Sequence, residues 1–187
     1  MENNIEYTIQ KTAFSLFKEK GYKNVKIEDI CAAVGITKST FYYHFKSKES
    51  LLSEFSKGAG RIPSNLMAEI VMSDDVWDIL WASLTLAMNW AADAGKDIVR
   101  NVLIYDLNNE ISSFIMREKI SALHTSLILK GQQNGRFHNL SNANDIYECI
   151  CVYFKGFLLS WCSSPEEKLD YEAFKTGIAA MLDVSKK

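Results

Sequence analysis

The chain has 187 residues, of which 48% are hydrophobic and 24% charged, and its formal net charge is −2 at pH 7. This hydrophobic content supports a substantial core and excludes an intrinsically disordered chain, while the net charge excludes a strongly basic nucleic-acid binder. The charge is uneven, because residues 1–60 carry nine lysines and seven acids whereas the remainder is net acidic. The N-terminus is polar and no run of about 18 apolar residues occurs, so we expect a cytoplasmic protein without a membrane span.

Apolar residues at helical spacing predict three helices at the start of the chain, the first over about residues 5–20 and the second over about 27–34. The third helix follows Thr37, which is a good N-cap, and places Phe41 and Phe45 on one inner face. Its outer face carries hydrogen-bonding side chains, which suit a DNA major groove. The alternative is an ordinary amphipathic helix with a solvated polar face.

Further helices are predicted to the end of the chain, with no strand pattern. Ser47 is the expected N-cap of the fourth helix. The stretch from Gly58 to Pro63 predicts a break, which is either a loop or a functional hinge. Ser164 to Glu167 has the form of a capping box that opens the last helix at Pro165. The four helices between these points are predicted at about 74–94, 96–108, 110–134 and 141–162, which makes an all-α chain of about nine helices.

The residues that usually carry catalysis or bind metals form no known pattern here. The three histidines are far apart in sequence, and neither a nucleophile elbow, a P-loop nor a dinucleotide fingerprint occurs. We therefore expect no catalytic residue, no metal and no cofactor, and a protein that is not an enzyme. The four cysteines form no C-x-x-C pair and fall in apolar helical patterns, so they are predicted to be small buried hydrophobic residues: Cys31, Cys149, Cys151 and Cys162.

The stretch from Ala13 to Leu52 resembles the TetR/AcrR family of bacterial transcriptional regulators. The residues that carry the resemblance are Ala13-Phe14-Ser15-Leu16-Phe17, Gly21-Tyr22, Ile27-Glu28-Asp29-Ile30, Ala33-Val34-Gly35-Ile36-Thr37, Thr40-Phe41-Tyr42-Tyr43-His44-Phe45 and Lys48-Glu49-Ser50-Leu51-Leu52. The chain departs from the family pattern in two ways. Lys26 stands where the family usually has a capping Thr or Ser, and residues 1–60 contain no arginine, so a bidentate arginine contact to guanine is not available there.

The resemblance implies a three-helix helix-turn-helix DNA-binding domain over residues 1–47 and a helical ligand-binding and dimerisation domain over residues 48–187. It implies contacts with base edges and nearby phosphates from Thr37, Lys38, Ser39, Thr40 and Tyr43, and with backbone phosphates from Tyr42, His44, Lys48 and Lys26. For Lys26 a solvated surface position is the alternative, and for His44 a core position. Dimerisation is expected through the last two helices, whose apolar faces exceed what one small body can bury.

An effector pocket is expected in the body, where polar residues lie among aromatic ones on the fifth helix. An apolar or aromatic small molecule is the expected ligand, although an ordinary core role is the alternative for each candidate. These candidates are Trp81, Thr85, Met88, Asn89, Tyr105, Phe114 and Trp161.

The sequence thus predicts a one-component regulator, a repressor that leaves a near-palindromic double-stranded DNA operator when a small-molecule effector binds. The first alternative is a helix-turn-helix module that serves as a protein-interaction partner or coactivator without reading DNA. The second is a helical enzyme that happens to contain the motif.

Overall fold

The computed structural model describes residues 5–52, 75–110 and 118–184, and it confirms the all-α prediction. Apart from a 3-10 turn at Tyr22–Asn24 and an isolated antiparallel bridge between Phe137 and Val184, the regular structure of these residues is α-helical. A fourth helix, α4, begins at Ser50 and is described through Leu52. The other helices are α1 (Ile5–Lys20), α2 (Ile27–Val34), α3 (Lys38–His44), α5 (Val76–Ala94), α6 (Lys96–Asn109), α7 (Glu118–Gln133), α8 (Ala143–Ser163) and α9 (Tyr171–Leu182).

The described residues form two contact units, one made of 5–52 with 93–110 and the other of 75–92 with 118–184. In the first unit, α1 packs on α2 and α2 on α3, and α6 contacts the 3-10 turn. The division into domains at residue 47 stays a prediction, since packing alone also groups α6 with the N-terminal helices.

The core of the first unit contains the aromatic residues that the helical spacing placed on inner faces. Phe17, Ile30 and Phe41 have at most 1% of their surface exposed, and the Phe41 ring lies 5.9 Å from the Phe45 ring. Leu51 and Leu52 at the start of α4 are equally buried, so this small core also draws on α4.

The core of the second unit is built by α5, α8 and α9 around Phe174. Its ring lies 5.1–6.3 Å from four other aromatic rings on α5 and α8: Trp81, Tyr153, Phe154 and Phe157. Arg136 and Asp75, both mostly buried, form an ion pair at 3.2 Å, and Asp75 also caps the start of α5 through the Trp77 N–H.

Three boundary predictions are wrong or lie outside the described residues. The last helix begins at Tyr171 and not at Pro165, because the Asp170 carboxylate accepts the Ala173 N–H, whereas the Ser164 hydroxyl is used in a local turn with Trp161 and Glu166. Glu110 does not begin the seventh helix, because it ends α6 in the left-handed conformation at φ 54°. The predicted break from Gly58 to Pro63 lies outside the described residues.

The cysteine prediction is correct for two of four residues. Cys31 and Cys162 are buried, but Cys149 is exposed and Cys151 is half-buried. Cys149 lies on the face of α8 that turns away from the core. Because this helix is apolar on several faces, its sequence does not show which face is exposed.

Candidate nucleic-acid interface

The turn between α2 and α3 is fixed by backbone chemistry that the sequence predicts. Gly35 adopts φ 78° and ψ 34°, the left-handed conformation that glycine enters without a steric penalty. The N–H groups of Gly35 and Ile36 both donate to the Cys31 carbonyl, at 2.9 and 3.0 Å. Thr37 then caps α3, since its hydroxyl accepts the Thr40 N–H at 3.2 Å. These contacts set the direction in which α3 leaves the turn.

The two faces of α3 differ as predicted. Phe41 is fully buried, while Tyr42 is 52% and Tyr43 85% exposed. Lys38 and Ser39 at the start of the helix are exposed as well. A single helix therefore anchors on one aromatic side chain and presents two phenol groups, a hydroxyl and an ammonium outward.

Lys38 is paired with an acid on the neighbouring helix. Its ammonium donates to the carboxylate of Glu28 on α2, and both side chains are more than half exposed. This hydrogen bond raises the pKa of Lys38 and lowers that of Glu28. The exposed face of α3 thus has a carboxylate at its edge, which the resemblance gave no reason to expect.

His44 links α3 to α1. Its Nδ1 lies 3.2 Å from the Glu6 carboxylate, and only 15% of its side chain is exposed. Its ring meets the Tyr43 ring edge-on at 5.0 Å. The mostly buried imidazole therefore supports the position of Tyr43, and its predicted contact with a phosphate stays a prediction.

The Lys48 side chain is held by hydrogen bonds to backbone carbonyls around the 3-10 turn. Its ammonium donates to the carbonyls of Tyr22 and Val25, both at 2.9 Å, and lies 4.1 Å from the centre of the Tyr22 ring. Partial burial lowers its pKa. Two of its three N–H donors are therefore used by backbone carbonyls.

At the N-terminus of α2 the capping hydrogen bond involves the Asp29 carboxylate and not the Lys26 side chain. The Lys26 side chain makes no capping hydrogen bond, but its backbone N–H donates to the Asp29 carboxylate at 2.7 Å. This is the reciprocal half of a capping box, so the missing Thr or Ser is partly compensated. The Lys26 side chain is exposed.

A cleft of about 390 Å³ lies between the N-termini of α2 and α4. Its wall contains four lysines and two acids, and Tyr42 closes it on the side of α3. Two of these lysines, Lys23 and Lys46, are additional candidates that the sequence-based prediction missed. Their nearness in sequence to Lys26 and Lys48 was the available signal. The lining residues are Lys23, Val25, Lys26, Ile27, Glu28, Tyr42, Lys46, Ser47, Lys48 and Glu49.

The predicted effector residues have several different environments. Met88 is fully buried and Trp161 nearly so, whereas Asn89 is exposed and accepts the Tyr171 hydroxyl at 2.7 Å. Thr85 donates within its own helix to the Ala82 carbonyl. Trp81 stacks on Trp77, and the Lys175 ammonium lies 5.2 Å from the centre of its ring. Tyr105 belongs to the other contact unit, and Phe114 lies outside the described residues.

A buried polar group in the body was missed by the sequence-based prediction. His124 of α7 is fully buried, and its Nε2 lies 2.6 Å from the Ser83 hydroxyl of α5. Burial lowers the pKa of His124 to about 4, so the ring is neutral at pH 7. No local motif marks this pair, because the two residues are 41 positions apart.

Membrane-spanning helices and metal-binding clusters are both absent from the described residues. No helix in this part of the chain has the length and apolar character needed to cross a membrane. The same residues contain no cluster of three or more histidine, cysteine or acidic side chains arranged to hold a metal ion.

A helical head that presents an exposed short helix beside a lysine-rich cleft is typical of a helix-turn-helix DNA-binding protein. Residues 9–55 match the sequence profile of the "Bacterial regulatory proteins, tetR family". This match covers the N-terminal quarter of the chain and, together with the relatives below, supports a TetR-family DNA-binding transcriptional regulator.

Three relatives show how far the similarity extends. The chain is 26% identical to the transposon Tn10 TetC protein of Escherichia coli, over 85% of this chain and 94% of that protein. It is 44% identical to the negative transcriptional regulator IcaR of Staphylococcus aureus, but over only 24% of each chain. The TetR-family regulator PfmR of Thermus thermophilus superposes with a TM-score of 0.58 at 19% identity, covering 96% of this chain and 99% of PfmR, and so shows the same fold.

Proposed function

We propose that this chain is a repressor that binds a near-palindromic operator as a homodimer and leaves it when a small molecule occupies the body. The observation that carries the proposal is the pairing of the exposed face of α3 with the lysine cleft beside it. A groove-reading helix next to a phosphate-binding surface is what operator recognition requires.

Phosphate binding is assigned to the cleft. Lys23, Lys26, Lys46 and Lys48 line it. The N-termini of α2 and α4 border the cleft, and helix N-termini favour anions. A DNA backbone lying here would place α3 in the adjacent major groove, with the Tyr42 hydroxyl beside the phosphates.

Base reading is assigned to the exposed face of α3. Tyr43 is its most exposed large side chain, and Thr37, Lys38, Ser39 and Thr40 lie at the helix N-terminus. Hydroxyl groups, one ammonium and aromatic rings recognise bases less selectively than a bidentate arginine does. We therefore expect selectivity to depend on several modest contacts rather than one dominant contact.

Dimerisation is assigned to α8 and α9, as the resemblance implies. One face of α8 exposes Cys149, Val152, Gly156 and Leu159, at spacings of three and four residues. Val152 is 67% and Leu159 54% exposed in the single chain. Pairing this stripe with its copy would bury these apolar groups, and two-fold symmetry would place the heads about 34–36 Å apart, or a multiple of that distance, on DNA.

The repressor assignment rests on the name of one relative, since IcaR is described as a negative regulator. The proposed effector acts by a population shift. The ligand favours a conformation of the C-terminal domain in which the two DNA-binding domains of the dimer no longer match the operator. Such a regulator acts where the DNA is, in the bacterial cytoplasm, and needs no catalytic activity.

DNA-binding assays with two single variants test this proposal. Tyr43→Ala should remove the preference for operator over unrelated DNA, while Lys46→Ala should weaken binding to both and reduce the salt dependence by about one phosphate contact. Fluorescence anisotropy at several salt concentrations measures both effects. An operator affinity that is unchanged in both variants would contradict the proposed DNA-binding interface. A protein with no salt-dependent DNA affinity would favour the alternative of a protein-interaction module.

A further inference from the structure

His124 carries a buried polar atom that makes no hydrogen bond with the described residues. The residue has no exposed surface, and within the described part of the chain its Nδ1 has no hydrogen-bond partner. A buried polar atom without a hydrogen-bond partner destabilises a folded protein. Such groups are rare in folded proteins, and a specific one requires a physical reason.

The protonation of the ring follows from its partner. The Ser83 hydroxyl has one proton, which it donates to the Leu80 carbonyl at 3.0 Å. The 2.6 Å contact between Ser83 and His124 is then donated by the ring Nε2–H. Because burial keeps the imidazole neutral at pH 7, the second ring nitrogen carries no proton. Nδ1 is therefore a hydrogen-bond acceptor inside the body.

The neighbourhood of this acceptor is aromatic. The Tyr147 ring of α8 lies 5.6 Å from the imidazole, so α5, α7 and α8 all contribute to the site. Burial accounts for the lowered pKa of His124 without a charged neighbour. An anion would face the lone pair of Nδ1 and a neutral ring, and a cation would find no counter-charge there.

We propose that Nδ1 of His124 is the hydrogen-bond anchor of the effector site, and that the effector is an uncharged molecule presenting a hydroxyl or N–H group on an apolar or aromatic frame. This inference rests on the proposed function, since it requires a body that binds a small molecule. Donation from the ligand to Nδ1 satisfies the acceptor that the described residues leave unpaired.

Three simple probes separate the chemical classes. Phenol carries a donor, anisole has a similar frame without the donor, and benzoate carries a negative charge. Phenol should raise the melting temperature of the wild-type protein more than either of the others. It should also shift the Nδ1 resonance of His124 in histidine-selective ¹⁵N spectra, which report directly which ring nitrogen is protonated.

Two variants and one control locate the effect. His124→Phe should remove the preference for phenol over anisole. Ser83→Ala keeps the imidazole but removes the hydroxyl that fixes its tautomer, so it should weaken this preference. His138→Gln changes an exposed histidine and should leave the preference intact. The second variant keeps the test valid if His124→Phe does not fold.

Equal stabilisation by phenol and anisole, stronger stabilisation by benzoate, no stabilisation by any probe, or a proton on Nδ1 would overturn the inference. DNA binding by the same unliganded samples is measured separately. Wild-type protein that does not bind DNA would count against the proposed function, whereas wild-type protein that binds DNA but shows no phenol preference would count against this site alone.

Discussion

The exposed face of α3 carries one positive charge, and that charge is paired with an acid. Arginine is absent from residues 1–60, and Lys38, the ammonium group on α3, is held by Glu28. The carboxylate beside Lys38 repels DNA phosphates, and it competes with any base for the lysine. Such an exposed pair adds little to the stability of the fold, so its main effect is on binding.

Replacing Glu28 should therefore strengthen DNA binding. In Glu28→Gln the Lys38 ammonium is released and one negative charge is removed, so affinity should rise several-fold and the salt dependence should become steeper. Fluorescence anisotropy with operator DNA measures both. Glu19→Gln, which neutralises an exposed acid on α1, is the matched control. Weaker binding by Glu28→Gln would show that the carboxylate itself contacts a base.

His124 should make the stability of the protein depend on pH. Its pKa is about 4 in the folded chain and about 6.5 when unfolded, so the unfolded chain holds the proton more tightly. Protonation then favours unfolding, and stability should fall by about 1.4 kcal/mol per pH unit as pH drops from 6.5 towards 4. Chemical denaturation at several pH values should show this loss in the wild-type protein and not in His124→Phe. Parallel curves for the two proteins would contradict the assignment.

Residues with local roles could be predicted from the sequence, and residues with distant partners could not. Gly35 and Thr37 act on atoms within four residues of themselves, so residue type and spacing suffice. Lys48 donates to carbonyls 23 and 26 residues away, and His124 pairs with Ser83 across 41 residues. Neither contact can be predicted from residue types at local spacings.

Among the elements, α7 owes its packing to a glycine. A side chain at Gly131 would overlap the ring of Phe137, which is fully buried in the connection that follows the helix. The N–H groups of Arg136 and Phe137 both return to the Gly131 carbonyl, so the chain folds tightly back onto this position. Close approach, rather than a special backbone angle, explains this glycine.

Gly131→Ala should destabilise the protein by about 1–3 kcal/mol, the usual effect of overpacking a core. The double variant with Phe137→Leu should recover part of this loss, because a smaller side chain leaves room for the added methyl group. Urea denaturation at one fixed protein concentration measures the free energy of unfolding in all three proteins. Additive losses in the double variant would show that the two positions do not interact.

Helix boundaries show where local chemistry misleads. The predicted bounds of α1 and α2 are confirmed, and both ends are marked by a following glycine with a positive φ. The predicted start of α9 at Pro165 is wrong, although Ser164 to Glu167 has the sequence of a capping box. Leu169 is buried ahead of the helix, and Asp170 provides the cap that is used. Tertiary packing decided between two plausible caps.

For the whole molecule, the exposed stripe on α8 predicts the assembly state. Val152→Glu places a charge in the proposed interface and should convert a dimer into a monomer with greatly reduced operator affinity. Light scattering coupled to size exclusion measures the mass. Leu140→Glu is the matched control, because Leu140 is 76% exposed and lies outside this stripe. A Val152→Glu protein that remains dimeric would place the interface elsewhere.

The measurement that tests the central claim most directly is selection of bound fragments from the source organism's DNA at moderate salt. Wild-type protein is compared with a Tyr42→Ala/Tyr43→Ala variant, which removes the exposed rings of α3 and leaves Phe41 in place. Enrichment of a near-palindromic site by the wild type, and its loss in a variant that is still folded, is the expected result. An equally enriched site in both proteins would contradict the assignment of α3 as the reading helix. No enriched site in either protein would contradict the operator-binding function itself.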